Sequence, residues 1–503
     1  MPSKNEAKSL IALAAGLVLL PVVLRAGGLT LTSASDCVLL AMVGLGLNVL
    51  LGQTGLVSFG HGAWFGLGAY AVAIIQLRFF PDGVIPPLLL ALAFVAVASL
   101  VIGALVLRRR GVYFSLLTLA FSALCFTVAY RWTSLTGGEN GLGGVERNSV
   151  LGVSLDDSLA FYTFVAVIGF CVAALLLRLA GSPFGHVLVA IRENEQRATF
   201  IGYPVRRYKL LAFVVSAIVT GLAGGLSVLN HRIASAESLS VVFSGELLAI
   251  VLIGGMRSFA GPIYGALFYL LFREYLSMLT PDWLLYFGLV FIAFVLFTPE
   301  GLAGIGRRVY RMVVPEPESK AAMGARVVPT QPAPLPSFLG GGSGGPLQCR
   351  GVSKRFGGIA AVSGVDIDID PRGVHALIGP NGAGKTSLFN LLSGMFAPDA
   401  GTVAYAGTPL ALGNPARICA AGIARSFQIT NLFKGLTVHE NLRLSVMARD
   451  PGRFSPWRRI ETLADVQAQT EELARYLGVG GMEHALAEDL SYGGQRLVDL
   501  GLA

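Results

Sequence analysis

The sequence predicts a multi-pass α-helical membrane domain followed by a smaller α/β domain built on a phosphate-binding loop, and three observations predict it. Apolar runs long enough to cross a bilayer recur up to about Thr298, and none follows. Residues 315–346, which carry no periodic apolar face, come next. Beyond them, residues 379–387 read GPNGAGKTS and fit G-x-x-x-x-G-K-[ST] without a gap. The 503 residues are 54% hydrophobic and 14% charged. That average hides a very apolar first part and an ordinary soluble remainder, so the two parts fold in different solvents.

In the first part, about 20 helical residues at about 1.5 Å each span the ~30 Å hydrocarbon core. Lys4 and Lys8 precede the apolar run 10–24. No small-residue cleavage site follows and further spans come directly after it, which favours an uncleaved first helix over a signal peptide. The basic clusters 108–110, 192–209 and 307–311 are expected on the cytoplasmic side, and the loop 133–158, with Glu139, Glu146, Asp156 and Asp157, on the other. Three apolar stretches between Lys209 and Arg307 would put two of those clusters on opposite sides. GGMRSFAGP at 254–262 resolves the conflict, because two glycines, an arginine and a proline divide the middle stretch into two short passes. The count becomes about ten passes or part-passes with both ends inside.

One membrane segment, 46–73, is rich in glycine and polar residues. Its small residues let helix backbones approach closely. Asn48, Gln53, Ser58 and His61 are costly in lipid unless they find partners or face a cavity. Interhelical hydrogen bonding is the first expectation for each, and contact with a transported substrate the second. No chain of intramembrane carboxylates accompanies His61, which argues for a packed histidine over a proton relay.

The phosphate-binding pattern needs glycines so that successive N–H groups curl around phosphate oxygens with no Cβ in the way. Gly379, Pro380, Asn381, Gly382, Ala383, Gly384, Lys385, Thr386 and Ser387 form it. Lys385 is expected to neutralise the β/γ-phosphates of ATP, and the Thr386 hydroxyl to ligate Mg²⁺. The apolar run VHALIG at 374–379 predicts a strand entering the loop, and TSLFNLLSGM at 386–395 a helix leaving it.

Residues 315–346 are rich in Pro, Gly, Ala and Ser and read as a linker, which gives a transmembrane domain over 1–312, a linker over 313–346 and a nucleotide-binding domain over 347–503. The five cysteines show no C-x-x-C spacing and read as small packing residues. The net charge of +8 is accounted for by basic loops and the linker, with no need of nucleic acid as a partner.

Five blocks occur in a recognisable order: GLNVLLGQTGLVSFGHGAWFGLGAY, RRRGVYFSLLTLAFS, TGGENGL, SPFGHVLVAIRENEQRATFIGY and SGELLAIVLIGGMRSFAGPIYGA. Together they resemble the permease of branched-chain amino acid ABC transporters over nearly all of 10–305. The part from Leu347 onward is similar to the ATPase subunit of such a system. The resemblance implies a bacterial inner-membrane importer whose ATP-binding domain is cytoplasmic, working with a second permease subunit, a second ATPase subunit and a periplasmic substrate-binding protein.

It also implies site residues. Phe356, in VSKRFGG, stands where the family places an aromatic ring against adenine; a core phenylalanine on a strand is the alternative. Gln428, in ARSFQITNLF, matches the glutamine loop that senses Mg²⁺ and the γ-phosphate; a solvated loop glutamine is the alternative. Leu490, Ser491, Tyr492, Gly493, Gly494 and Gln495 are similar to the signature motif, which contacts the nucleotide of the opposite ATPase subunit at a helix N-terminus. The segment 182–209 resembles a cytoplasmic coupling helix, on which Ile191, Glu195 and Ala198 would share one face; an unpartnered positive-inside loop is the alternative.

After RLVDLGLA the family continues into an apolar strand ending in Asp-Glu, whose acids support Mg²⁺ and the attacking water. Asp489 and Asp499 flank the signature and offer no substitute, so the chain alone is expected to bind ATP without hydrolysing it. The function these resemblances imply is ATP-dependent import of branched-chain or related hydrophobic amino acids. Two alternatives stand beside it: a permease half with a scaffold ATPase fragment, and the same motor carrying urea, short amides or aromatic acids.

Overall fold

A computed structural model describes residues 4–313, 334–339, 344–428 and 430–503. The linker expected over 313–346 falls largely on residues outside these. Contacts divide the chain into two compact units, one within Met1–Gly181 and Arg206–Pro317, the other within Ser182–Val205 and Glu318–Ala503. Within the span 1–312 expected for the transmembrane domain, Ser182–Val205 groups with the second unit. That piece is polar on its exposed side and buries its apolar side among the soluble residues described below.

The first unit is helical because its apolar runs can satisfy their backbone only internally in lipid. In chain order the helices are α1 (Lys4–Ala26), α2 (Leu31–Asn48), α3 (His61–Phe79), α4 (Ile85–Val106), α5 (Val112–Arg131), α6 (Thr133–Thr136) and α7 (Ser158–Ala180). After the inserted piece come α10 (Val205–His231), α11 (Val241–Gly254), α12 (Gly261–Leu279), α13 (Trp283–Phe297) and α14 (Gly301–Val313). Two residues of β1 (Leu142–Gly143) pair antiparallel with β2 (Ile233–Ala234).

Among the described residues, seven helices are long and apolar enough to cross a membrane, or up to eight if α13 and α14, bent by 53°, count as one span. The 254–262 segment breaks the chain as the sequence predicts: α11 stops at Gly254, Gly255 takes φ 108°, and α12 restarts with Pro262 in its first turn. Thr30 Oγ1 accepts from Ser33 N–H at 3.2 Å to cap α2, and Asp157 Oδ2 accepts from Ala160 N–H at 3.0 Å to cap α7.

α2 forms the centre of this unit, buried along nearly its whole length and packed on α7, α11 and α12. The peripheral helices are one-sided. On α4, Leu88, Ala91, Val95, Ser99 and Gly103 are buried, while Leu90, Phe94, Val97 and Val101 face outward. An apolar outer face of that kind is stable against lipid and costly against water. Cys171 lies on such a face of α7, between exposed Val167 and Leu175, so it is not the packing residue expected of every cysteine; Cys37 and Cys349 are buried.

The second unit holds a four-stranded antiparallel sheet in the order β4 (Ile359–Ile369), β3 (Leu347–Phe356), β5 (Ala400–Tyr405), β6 (Thr408–Pro409). Cys349, Val352, Val362 and Val403 of this sheet bury against Leu388, Leu391 and Leu392 of α15 (Lys385–Leu392). The helices α8 (Pro183–Glu193), α9 (Glu195–Phe200), α16 (Pro415–Ala420), α17 (Val438–Met447), α18 (Ala464–Tyr476) and α19 (Tyr492–Gly501) complete it.

One sequence expectation fails here. Residues 374–379 are not a strand, and Val374 and Ile378 are 103% and 88% exposed. An apolar run becomes a strand only when a neighbour supplies its ladder, and among the described residues none lies beside this one.

The turn before α17 is organised by Asn441, which is fully buried. Its Oδ1 accepts from Phe433 N–H at 3.1 Å, and its Nδ2 donates to the carbonyls of Phe433 and Thr437 at 3.0 and 2.9 Å. Asn441→Ala strands these groups, and a loss of about 2–4 kcal/mol is expected. A thermal midpoint of the purified chain that drops by less than a degree would contradict this account of the turn.

Candidate functional site

The phosphate-binding loop lies between the exposed segment 374–379 and α15. Gly384 sits at φ 84°, where a Cβ would collide with the Ala361 carbonyl, so the loop can enter the helix only through glycine. Lys385 opens α15 and its Nζ donates to Gly379 O at 2.6 Å and Pro380 O at 2.7 Å, while Ala383 N–H donates to Pro380 O at 3.2 Å. The ammonium is thus held inside the curl of the loop at a helix N-terminus, the arrangement that favours a polyphosphate. Asn381, Gly382, Ala383 and Thr386 are exposed.

Phe356 ends β3, 42% exposed. Phe396 packs against its ring edge-on at 5.4 Å, and Lys354 Nζ lies over the ring 5.9 Å from its centre. Lys354 also pairs with Asp399 at 2.7 Å, and this contact holds the Asp399 carboxyl below its ordinary range.

Gln428 is exposed, and among the described residues no polar contact joins it to Thr386. Its backbone is held instead: Arg496 of α19 donates to Phe427 O and Gln428 O, each at 2.5 Å. α19 carries the signature residues at its start. Ser491 is its N-cap, with Oγ accepting from Gly494 N–H at 3.3 Å, and Gln495 Nε2 donates to Leu490 O at 3.1 Å. Tyr492 and Gly493 are exposed on the first turn.

The single helical face expected for Ile191, Glu195 and Ala198 is not formed. Asn194 adopts φ −158°, ψ 91° and caps a new helix by accepting from Arg197 N–H at 3.0 Å, so α8 and α9 point differently. Ile191 and Ala198 are buried and Glu195 is half-buried. Residues the expectation passed over make polar contacts to the rest of this unit. Asn194 Nδ2 donates to Asn431 Oδ1, Gly435 N–H donates to Glu193 Oε2 at 3.3 Å, and Tyr203 Oη donates to Leu444 O at 2.7 Å. Arg197 is fully buried and pairs with Asp499 at 3.3 Å. Burial pulls its guanidinium below the usual range and Asp499 opposes that. The signal in the sequence was the polar run ENEQR inside an otherwise apolar segment.

In the membrane unit, Ser58 and His61 form an interhelical chain. Ser216 Oγ donates to Gly46 O at 2.6 Å, which commits its only proton, so His61 Nε2–H is the donor in the 2.8 Å contact with Ser216 Oγ. Ser58 Oγ then donates to His61 Nδ1 at 3.2 Å. Asn48 and Gln53 differ. Asn48 precedes and Gln53 lies within a π-helical turn, Val49–Thr54; Asn48 Nδ2 donates to Ser258 O at 3.4 Å, but the buried Asn48 Oδ1 and Gln53 Oε1 have no hydrogen-bond partner among the described residues.

No group of three or more His, Cys, Asp or Glu side chains arranged to hold a metal is found among the described residues. Thr386 and Gln428 are oxygen donors of the type Mg²⁺ takes, but they sit on separate elements.

Residues 29–298 match the family model described as "Branched-chain amino acid transport system / permease component", and residues 362–503 match "ABC transporter". The chain is 31% identical to the high-affinity branched-chain amino acid transport system permease protein LivM of Salmonella typhimurium, over 53% of this chain and 68% of that protein. Its second part is 37% identical to the corresponding ATP-binding protein LivG of Escherichia coli, over 31% of this chain and 62% of that protein. It is also 41% identical to the ribose import ATP-binding protein RbsA 2 of Rubrobacter xylanophilus, over 33% of this chain and 31% of that protein.

Proposed function

The chain belongs to the branched-chain amino acid transport permease family and carries an ABC ATPase domain, and we propose that it is a permease and ATP-binding component of an importer for branched-chain amino acids in the bacterial inner membrane. The observation that supports this most is the joining, in one polypeptide, of a permease unit to a glycine loop with Lys385 held inside it. The nucleotide-binding domain would face the cytoplasm, with a second permease subunit, a second ATPase subunit and a periplasmic binding protein completing the complex. Similarity to a ribose import ATPase is as high as to the amino acid one, so the substrate is specified by the membrane unit.

Gly379, Gly382, Gly384, Lys385 and Ser387 would hold the phosphates of ATP, with Phe356 against the adenine. Mg²⁺ bound to Thr386 and Gln428 would neutralise phosphate charge. Asn48 Oδ1 and Gln53 Oε1, as unpaired acceptors in apolar surroundings, suit the ammonium group of an amino acid whose side chain needs no polar partner.

Uptake of radiolabelled leucine into proteoliposomes containing the chain with both partner subunits and the binding protein tests the reading. ATP-dependent uptake is expected, with competition by isoleucine and valine. Asn48→Ala should reduce it by about tenfold, the effect of roughly one lost hydrogen bond to a charged group. Uptake of urea or an aromatic acid in place of leucine would reassign the substrate.

A further inference from the structure

Resting on that reading, we propose that the loop Ser182–Val205 reads the position of the signature helix through one buried ion pair, Arg197 with Asp499, which makes both of them positioning residues for coupling ATP to the membrane unit. Arg197 lies on α9 and its side chain is fully buried. Its Nη2 pairs with Asp499 Oδ1 at 3.3 Å and also donates to Asp499 O at 2.8 Å, and its Nη1 donates to Arg425 O at 3.2 Å. The guanidinium carbon stands 5.8 Å from the centre of the Phe427 ring. One side chain from the loop therefore touches both α19 and the segment leading to Gln428.

Asp499 is the shared point. Arg496, one turn earlier on α19, lies 3.6 Å from its second oxygen and holds the carbonyls of Phe427 and Gln428. The glutamine segment and the signature helix are thus tied by Arg496, and the loop joins them at the same carboxylate. Ser491 at the start of α19 and Asp499 near its end are about 12 Å apart at ~1.5 Å per residue. A shift of the helix N-terminus toward a nucleotide is carried rigidly to Asp499.

The energetics favour a positional role over a stabilising one. Burying two charges costs several kcal/mol each, and well-packed apolar residues of similar size commonly match or exceed the stability of such a pair. What an ion pair adds is a strict geometric requirement. The contact is favourable only while α9, residues 425–428 and α19 keep one arrangement, so their positions are linked and the linkage is reciprocal.

Amide hydrogen exchange on the full chain in lipid nanodiscs tests this, with and without MgATP. Without nucleotide, Arg197→Met should raise exchange in α19 and residues 425–428 by at least about tenfold, because Asp499 stays buried with only the 3.6 Å contact to Arg496. The double variant Arg197→Met/Asp499→Leu should restore that protection, which guards against simple misfolding. With MgATP, the unmutated chain should change its exchange at residues 194–203, and the double variant should bind fluorescent ATP within about threefold yet lose that change. Unaltered α19 exchange in Arg197→Met, or a full ATP response in the double variant, overturns the proposal. Failure of the unmutated chain to bind ATP would instead count against the function proposed above, since the nucleotide-free arm scores the ion pair independently.

Discussion

Lys385→Ala is expected to weaken ATP binding by the full chain about 10- to 100-fold, the effect of losing roughly 1.5–3 kcal/mol of charge-assisted hydrogen bonding. The lysine is already positioned, with Nζ inside the loop on the carbonyls of Gly379 and Pro380. Its removal takes away both the charge that meets the phosphates and two bonds that keep the loop curled. Lys385→Arg should fail to restore affinity, because a planar guanidinium cannot occupy the place of a compact ammonium between those two carbonyls. Titration with a fluorescent ATP analogue measures this. Equal affinity in the variant and the unmutated chain would mean that the loop does not hold phosphate.

Gly224→Val should abolish the folded membrane unit. α3 and α10 cross backbone against backbone: a Cβ on Gly224 would lie far closer to the Phe65 carbonyl than the 3.0 Å that real Cβ atoms keep, and one on Gly68 would collide likewise with the Gly221 carbonyl. Neither obstacle is a flexible side chain, so the helices must separate along the crossing. Overpacking in a deformable core costs ~1–3 kcal/mol, and a rigid backbone clash exceeds that range. Gly245→Ala on α11 is the control, because nothing lies within 4 Å of its added methyl, and helix propensity makes it neutral or slightly stabilising, by up to about 1 kcal/mol. Size-exclusion profiles and thermal midpoints of the two variants in detergent should separate clearly. A well-folded Gly224→Val protein would show that the crossing is not as tight as its backbone distances indicate.

These two predictions stand on features of different legibility. The phosphate loop was readable residue by residue, because its glycines and lysine act through local backbone geometry. The glycines of 46–73 announced close helix approach, but their partners, Gly221 and Gly224, lie more than 140 residues away on α10. Only folding shows which backbones meet.

The sequence by itself determined what depends on local chemistry: the membrane helices, the break over 254–262, the glycine loop and the family to which the chain belongs. A helix satisfies its own backbone, and loop glycines act within a few residues, so their signals sit next to their consequences. The tertiary structure decided what depends on a distant partner. Residues 374–379 are apolar enough for a strand, yet a strand exists only beside another. The 182–209 segment has helical spacing throughout, yet Asn194 ends one helix and caps the next, which turns Arg197 inward to Asp499 instead of setting Ile191, Glu195 and Ala198 in a row. That ion pair joins residues separated by some 300 positions, and no periodicity or spacing in a single sequence reports a contact at such a range.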